Sequence, residues 1–267
     1  MISVAYRFFL AAFILFIYAS VSSLNLKYSL KEHGLMGLLG FFLFGINYWL
    51  VYTAELTLTS GLVAVVFSSI IFLNIINGAI FLKLAIRWYV FFGALTGMVG
   101  IALVFKDELL NFDISSGNTL AFILAIGSAA LASLGNITSA HIQKKNLPVI
   151  QTNAFGMLYG ACIMLIISFV NGKSFVFDLS FPYIASLLYL SIFGSIIAFG
   201  CYLTLLGNIG PDKSAYVTLL IPVIALIMST FFEDYSWTLT SLIGITFILG
   251  GNFIILKRKK PGIAQQP

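Results

Sequence analysis

An arginine at position 7 sits inside an unbroken apolar run, ISVAYRFFLAAFILFIYASV. Ionisable groups in such surroundings are costly and mark sites by default. Two readings fit Arg7: a cation facing a passage, pairing with an anionic solute group or a helix end, or a side chain snorkelling to the headgroups. Glu55, at the end of the next apolar run, is a candidate site for a proton or coupling cation, with a solvated loop acid as the plainer account. Amides follow the same logic. Asn74 and Asn77 lie three apart in a third run and so share a helix face, where they either contact a solute or bind two helices together. Asn47, Tyr48 and Tyr52 offer hydrogen-bonding groups in the second run, and Tyr48 and Tyr52 share a face. Tyr159 and Tyr202 extend the set. Pro222 interrupts an apolar run and removes one rung of its helical ladder, which makes it a candidate hinge. The chemistry these groups can do is recognition, not bond-making. The sequence has no phosphate-binding loop, no paired mid-helix carboxylates, no zinc spacing and no nucleophile elbow. It predicts no enzyme, no cofactor and no metal.

The elements that hold these groups follow from composition. The 267 residues are 60% hydrophobic and 9% charged, with mean hydropathy +1.06. A soluble domain carries about 25% charged residues, so most of this chain must find its solvent in lipid. Nine apolar runs read as membrane-crossing helices: Ile2–Val21, Leu35–Tyr52, Gly61–Leu82, Trp88–Phe105, Thr119–Ala140, Asn153–Val170, Tyr183–Leu206, Ser214–Phe232 and Leu239–Leu256. The fold class predicted is an all-α membrane protein. Cys162 and Cys201 fall inside runs and read as small hydrophobes. His33 and His141 read as parts of separate polar connections.

The net charge of +5 is a topology signal and not a nucleic-acid signal. Lys27, Lys31, Lys83, Arg87, Lys144, Lys145, Lys213 and the tail Lys257-Arg258-Lys259-Lys260 occupy every second break, whereas the alternate breaks hold only Lys106 and Lys173 with most of the acids. The positive-inside rule then places the C-terminus in the cytoplasm.

The chain also repeats. GALTGMVGIALVFK, from Gly93, is echoed by GITFILGGNFIILK, from Gly244, at an offset of 151 positions. That offset maps the first four runs onto the last four and leaves Thr119–Ala140 unmatched. The expectation is a ten-helix architecture of five plus five, with one helix absent ahead of Met1. Because five is odd, the halves are inverted in the membrane, as in many secondary transporters. The boundaries expected are 1–106 for a first repeat, 107–117 for an external linker, 118–260 for a second repeat and 261–267 for a cytoplasmic tail.

Four stretches together resemble the EamA-type permeases of the drug/metabolite transporter superfamily: Arg7-Phe8-Phe9-Leu10-Ala11-Ala12, YTAELTLTSGLVAVV from Tyr52, SAYVTLLIP from Ser214, and Phe231-Phe232-Glu233 ahead of Gly244. The resemblance spans essentially the whole chain. It departs in the first half, where Ile71 and Leu82 stand at the repeat equivalents of Pro222 and Glu233. It implies a multi-pass inner-membrane permease, an exporter of a small metabolite or amphipathic compound, working by alternating access. The partners implied are the small-molecule solute and the lipid bilayer, with no nucleic acid, and the fourth and last helices are expected to pack either at the periphery or at the face of a homodimer. The alternative is a non-transporting paralogue or subunit.

Overall fold

In a computed structural model, residues 2–113, 118–172, 176–232 and 237–256 are described. Lys173, Glu233, Asp234 and the tail from Lys257 lie outside them. All regular structure among the described residues is helical. Nine helices account for most of it: α1 (Ile2–Val21), α2 (Leu30–Ala54), α3 (Ser60–Leu82), α4 (Trp88–Val104), α5 (Thr119–Lys144), α6 (Val149–Val170), α7 (Phe181–Ile209), α8 (Tyr216–Phe232) and α9 (Leu239–Leu256). Two short helices, Lys106–Leu110 and Pro211–Ser214, fall between them.

Seven spans are long and apolar enough to cross a membrane: α1, α2, α3, α5, α6, α7, and Pro211–Met228, which takes in most of α8. The helices α4 and α9 are shorter apolar helices. The prediction of nine spans therefore divides into these seven and a shorter pair.

Helix ends depart from the apolar runs where polar residues extend a helix. The second run begins at Leu35, but α2 begins at Leu30. Ser29 caps it, with the Ser29 side chain accepting from the Glu32 backbone N–H and the Glu32 carboxylate accepting from that of Ser29. This capping box satisfies two end donors and starts the helix early. His33 is thereby placed in α2, and His141 in the last turn of α5, not in connections.

Three helices are interrupted. A π-helical turn spans Gly40–Gly45 in α2 and another spans Ile192–Ile197 in α7. Their starts lie 152 positions apart, one off the repeat offset. In α3 the ladder breaks at Ser68 and Ser69, where the Ser68 hydroxyl donates to the Val65 carbonyl at 2.6 Å. Serine side chains compete for backbone groups in this way and loosen a helix.

Two large packed bodies result, and a smaller third core of Ala54, Leu62, Val63, Ala121 and Ala125 joins the end of α2 to the starts of α3 and α5. One core joins α1, α2, α6 and α7 around Phe8, Phe44, Met157 and Leu203, with the end of α5. The other joins α3, α4, α8 and α9 around Ile71, Val90, Leu219 and Ile248. Each body takes two helices from each half of the sequence, so the packing units are not the sequence halves. Helix α5 contacts both.

Glycines set the tightest approach. A Cβ at Gly100 would lie 2.5 Å from the Gly244 carbonyl oxygen, and one at Gly244 would lie 2.6 Å from that of Gly100. Gly251 meets the Gly93 carbonyl in the same way, at 2.6 Å. As position advances along α4 it retreats along α9, so the two helices run antiparallel with backbones in contact.

Candidate functional site

Between the two bodies lies a cavity of about 720 Å³. Five helices wall it. Helix α2 brings Asn47, Tyr48 and Glu55, and α3 brings Ser60 and Phe67 from the segment before its serine break. The second half of α5 contributes Asn136, while α7 presents Gly194, Cys201 and Tyr202. Thr218 and Pro222 come from α8. Most of the lining is aliphatic or aromatic, with a few polar groups, the usual make-up of a small-molecule site.

On the α2 wall, Asn47 is buried and accepts a hydrogen bond from the Ser128 hydroxyl of α5 at 2.8 Å. Tyr48 stacks on Tyr52 with ring centroids 6.2 Å apart and meets Phe8 edge-on at 4.8 Å. Glu55 caps the end of α2 at the mouth of the cavity. Partial burial there pushes its carboxyl above the usual carboxylate range.

The floor is built from amides. Asn136 Nδ2 donates to the Tyr202 hydroxyl at 3.0 Å. Asn74 Nδ2 donates to the Pro211 carbonyl at 2.9 Å, and Gln143 Nε2 to the Leu203 carbonyl at 2.8 Å. These bonds tie α3 and α5 to α7 and the turn that follows it. At the rim beyond, Arg87 and Asp212 approach to 4.0 Å.

Arg7 is buried, but it does not line the cavity. Its Nε donates to Ser195 Oγ and its Nη2 to the Gly194 carbonyl, both at 2.8 Å. Its guanidinium also lies 5.7 Å from the centre of the Tyr48 ring, within cation–π range. The side chain thus pins the π-helical turn of α7 from behind the cavity wall.

The cavity therefore collects Asn47, Tyr48, Glu55, Tyr202 and Pro222 from the predicted set, and leaves out Arg7, Tyr52, Asn74, Asn77 and Tyr159. Asn77 binds helices together through the Ser133 hydroxyl at 2.9 Å. Tyr159 pairs with His33 Nδ1 at 2.8 Å, in an aromatic cluster with Phe155 and Tyr28. Sequence reasoning missed Ser128, Asn136 and Cys201. The signal for Asn136 was present, as the amide that interrupts the fifth apolar run. Ser128 and Cys201 carry no signal, since small polar residues are common in membrane helices.

Comparison with known proteins follows the same lines. Residues 119–257 match the EamA-like transporter family. An uncharacterized transporter of Bacillus subtilis, YoaV, is 25% identical over 251 residues, covering 93% of this chain and 84% of that protein. YedA of Escherichia coli K12, an uncharacterized inner membrane transporter, is 28% identical over 196 residues, covering 72% of this chain and 61% of that one. One crystal structure superposes with a TM-score of 0.78 at 15% identity, over 95% of this chain and 85% of its own, a likeness of fold alone. With its apolar helices wrapped around a mostly apolar cavity, the chain belongs to the EamA-like transporter family of the drug/metabolite transporters.

Proposed function

We propose that this transporter is a secondary permease of the inner membrane that exports a small amphipathic metabolite by alternating access. The observation that carries the proposal is the cavity between the two packed bodies, walled by α2 and α3 from the first half of the chain and by α7 and α8 from the second. The inner-membrane assignment follows the description of YedA. No gradient-independent energy source is evident in the described residues, so a solute or ion gradient drives transport.

The inverted-repeat reading draws support from the glycine contacts. Gly93 and Gly244 are repeat equivalents, as are Gly100 and Gly251. Gly100 meets Gly244, and Gly93 meets Gly251. Such a reciprocal antiparallel contact is what a two-fold axis across the helices produces, and that axis lies in the plane of the membrane. The π-helical turns of α2 and α7 at near-equivalent positions support the same reading. In this architecture α4 and α9 cross the bilayer as a close pair, and their outer faces, with Phe92 and Leu249 exposed, are the surface for a homodimer.

The rocking units are the two packed bodies, each with helices of both halves. The positive-inside rule puts Lys83, Arg87 and Lys213 in the cytoplasm. The mouth at Glu55 then faces outward and the amide floor closes the inner side. Asn47, Tyr48 and Tyr202 contact the solute, Pro222 serves as the hinge of α8, and Glu55 is the candidate coupling acid.

Efflux tests the proposal. Everted vesicles with and without the protein are offered labelled amino acids, nucleosides, sugars and aromatic amines. Protein-dependent accumulation of one class supports it, and its loss on collapsing the proton gradient assigns coupling. Vesicles that accumulate none of these classes above the protein-free control refute it.

A further inference from the structure

We propose that the amide cluster at the cavity floor binds a small monovalent cationic group, supplied either by an alkali ion or by the ammonium head of the solute. Two buried amide oxygens have no hydrogen-bond partner there: Asn74 Oδ1 and Asn136 Oδ1. The residues are 0% and 1% exposed. Buried polar atoms in folded proteins are paired with few exceptions, and an orphan calls for an explanation such as an ion or ligand. Asn74 cannot be turned around to remove its orphan, because its Nδ2 donates to the Pro211 carbonyl, which only accepts.

The two amides are neighbours. The Tyr202 hydroxyl accepts from Asn136 Nδ2 at 3.0 Å and also lies within reach of the Asn74 and Ser214 side chains. Ser214 is fully buried, and its hydroxyl proton goes to the Pro211 carbonyl at 3.3 Å. Each amide nitrogen of the cluster has a bond and neither amide oxygen does; the one unassigned hydroxyl proton, that of Tyr202, can satisfy at most one of the two oxygens, so acceptor capacity is left over. A pocket of surplus oxygen lone pairs selects a ligand that brings donors or positive charge: an alkali ion, which takes oxygen ligands, or an ammonium, which carries three N–H donors.

Charge sets the valence. Among the described residues no carboxylate belongs to the cluster, and the carboxylate of Asp212 nearby lies 4.0 Å from the Arg87 guanidinium. Divalent ions are held mainly by carboxylates, whereas neutral amides and hydroxyls suit a single charge. Arg7 does not oppose this, since it lies beside Gly194, eight residues before Tyr202 and so about 12 Å away along α7. The backbone fits as well. Gly210, at φ 95°, breaks the chain between α7 and Pro211, and irregular backbone at membrane depth is tolerated where it lines a site. Asn136 and Tyr202 both line the cavity, so the ligand enters from there.

The role of this site in coupling or recognition rests on the transporter reading, but binding itself does not and is measured without flux. Purified full-length protein in detergent is unfolded thermally in NaCl, LiCl or KCl, or in methylammonium or benzylammonium chloride, against choline chloride at equal ionic strength. The expected result is a saturable rise in midpoint with at least one of these salts. Asn74→Leu and Asn136→Leu should each weaken the apparent affinity about ten-fold or more, and Asn77→Leu should not. Tyr202→Phe, which keeps the ring and loses only the hydroxyl, serves where the amide variants do not fold. A response to alkali salts alone assigns an ion site, and a response to organic ammonium alone assigns the solute head. No salt exceeding choline, or a response unchanged in Asn74→Leu, Asn136→Leu and Tyr202→Phe, overturns the proposal. Flux in vesicles without this response leaves the transporter reading standing, and the response without flux removes that reading and leaves the site.

Discussion

Arg7 Nε donates to Ser195 Oγ across the α1–α7 interface at 2.8 Å, and the adjacent Nη2 reaches the Gly194 carbonyl at the same distance. A π-helical turn displaces backbone carbonyls from their regular partners, and here a guanidinium supplies a donor. The Ser191 hydroxyl returns a bond to the Arg7 carbonyl at 3.1 Å. The charge is held by dipoles and the Tyr48 ring, without a carboxylate partner among the described residues. Its value is therefore in fixing α7 against α1, on the wall of the cavity.

Breaking that fixture gives the first prediction. Arg7→Ala removes the donor to the Gly194 carbonyl and to Ser195 Oγ, which keeps only its own bond to the Leu190 carbonyl, and hydrogen bonds to a charged group contribute about 1.5–3 kcal/mol each. A lowered thermal midpoint is expected, with Ser195→Ala adding little in the Arg7→Ala background. Strict additivity of the two in a double-mutant cycle would show that the bond carries no coupling.

The crossing of α4 and α9 gives the second. A Cβ at Gly100 meets Gly244 O at 2.5 Å and Ile248 N at 2.8 Å, both backbone atoms that cannot rotate aside. Gly100→Ala is expected to force the helices apart, at a cost of about 1–3 kcal/mol for overpacking. Gly250→Ala, on the partner helix α9, meets nothing within 4 Å and is the control. Equal midpoints for the two variants would contradict the close crossing.

How far these features could be read from the sequence depends on the kind of signal each carries. Membrane helices announce themselves through length and apolarity, which is why α1 and α9 match their runs end to end. The crossing glycines were legible because close backbone contact admits no other residue type. The cavity was only half legible. Asn47, Tyr48 and Tyr202 stood out as polar groups in lipid, but Asn77 looked the same and instead binds α3 to α5, while Asn74 sits behind the lining with its amide nitrogen on the Pro211 carbonyl. Which amide faces a cavity is decided by tertiary neighbours such as Ser128, Ser133 and Pro211, and sequence spacing says nothing about them. The grouping into two bodies that mix the halves was not visible either, because helix pairing across a repeat leaves no periodicity in the chain.

Glu55 supplies a pH prediction. Partial burial raises its carboxyl above the ordinary range, so the folded protein holds this proton to higher pH than the unfolded chain does. The unfolded carboxyl releases its proton first, near the usual value of about 4.3. Stability from this group is thus full below that value and is lost as pH rises through the folded value. Glu55→Gln should flatten the midpoint-versus-pH curve in that window. If Glu55 also carries the coupling proton, the same variant abolishes the acceleration of efflux by a proton gradient. A curve unchanged by the substitution would place Glu55 in plain solvent.

Cys201 offers a direct view of the passage. It is free and exposed, it lines the cavity, and it follows Gly194 by about two turns of α7. The other cysteine, Cys162, is free and exposed on α6, away from the cavity. A cavity filled with water keeps a thiol reactive, because maleimide chemistry needs the thiolate and lipid suppresses it. In a Cys162→Ser background, a membrane-impermeant maleimide added from outside is expected to modify Cys201, and a transported solute to slow that reaction. In the orientation proposed above, with the floor of Asn136, Tyr202 and Gln143 on the cytoplasmic side, reagent confined to that face should react far more slowly. Faster labelling from the cytoplasmic face would invert the assignment of mouth and floor. Labelling from neither side would mean that water does not reach the cavity from the mouth at Glu55.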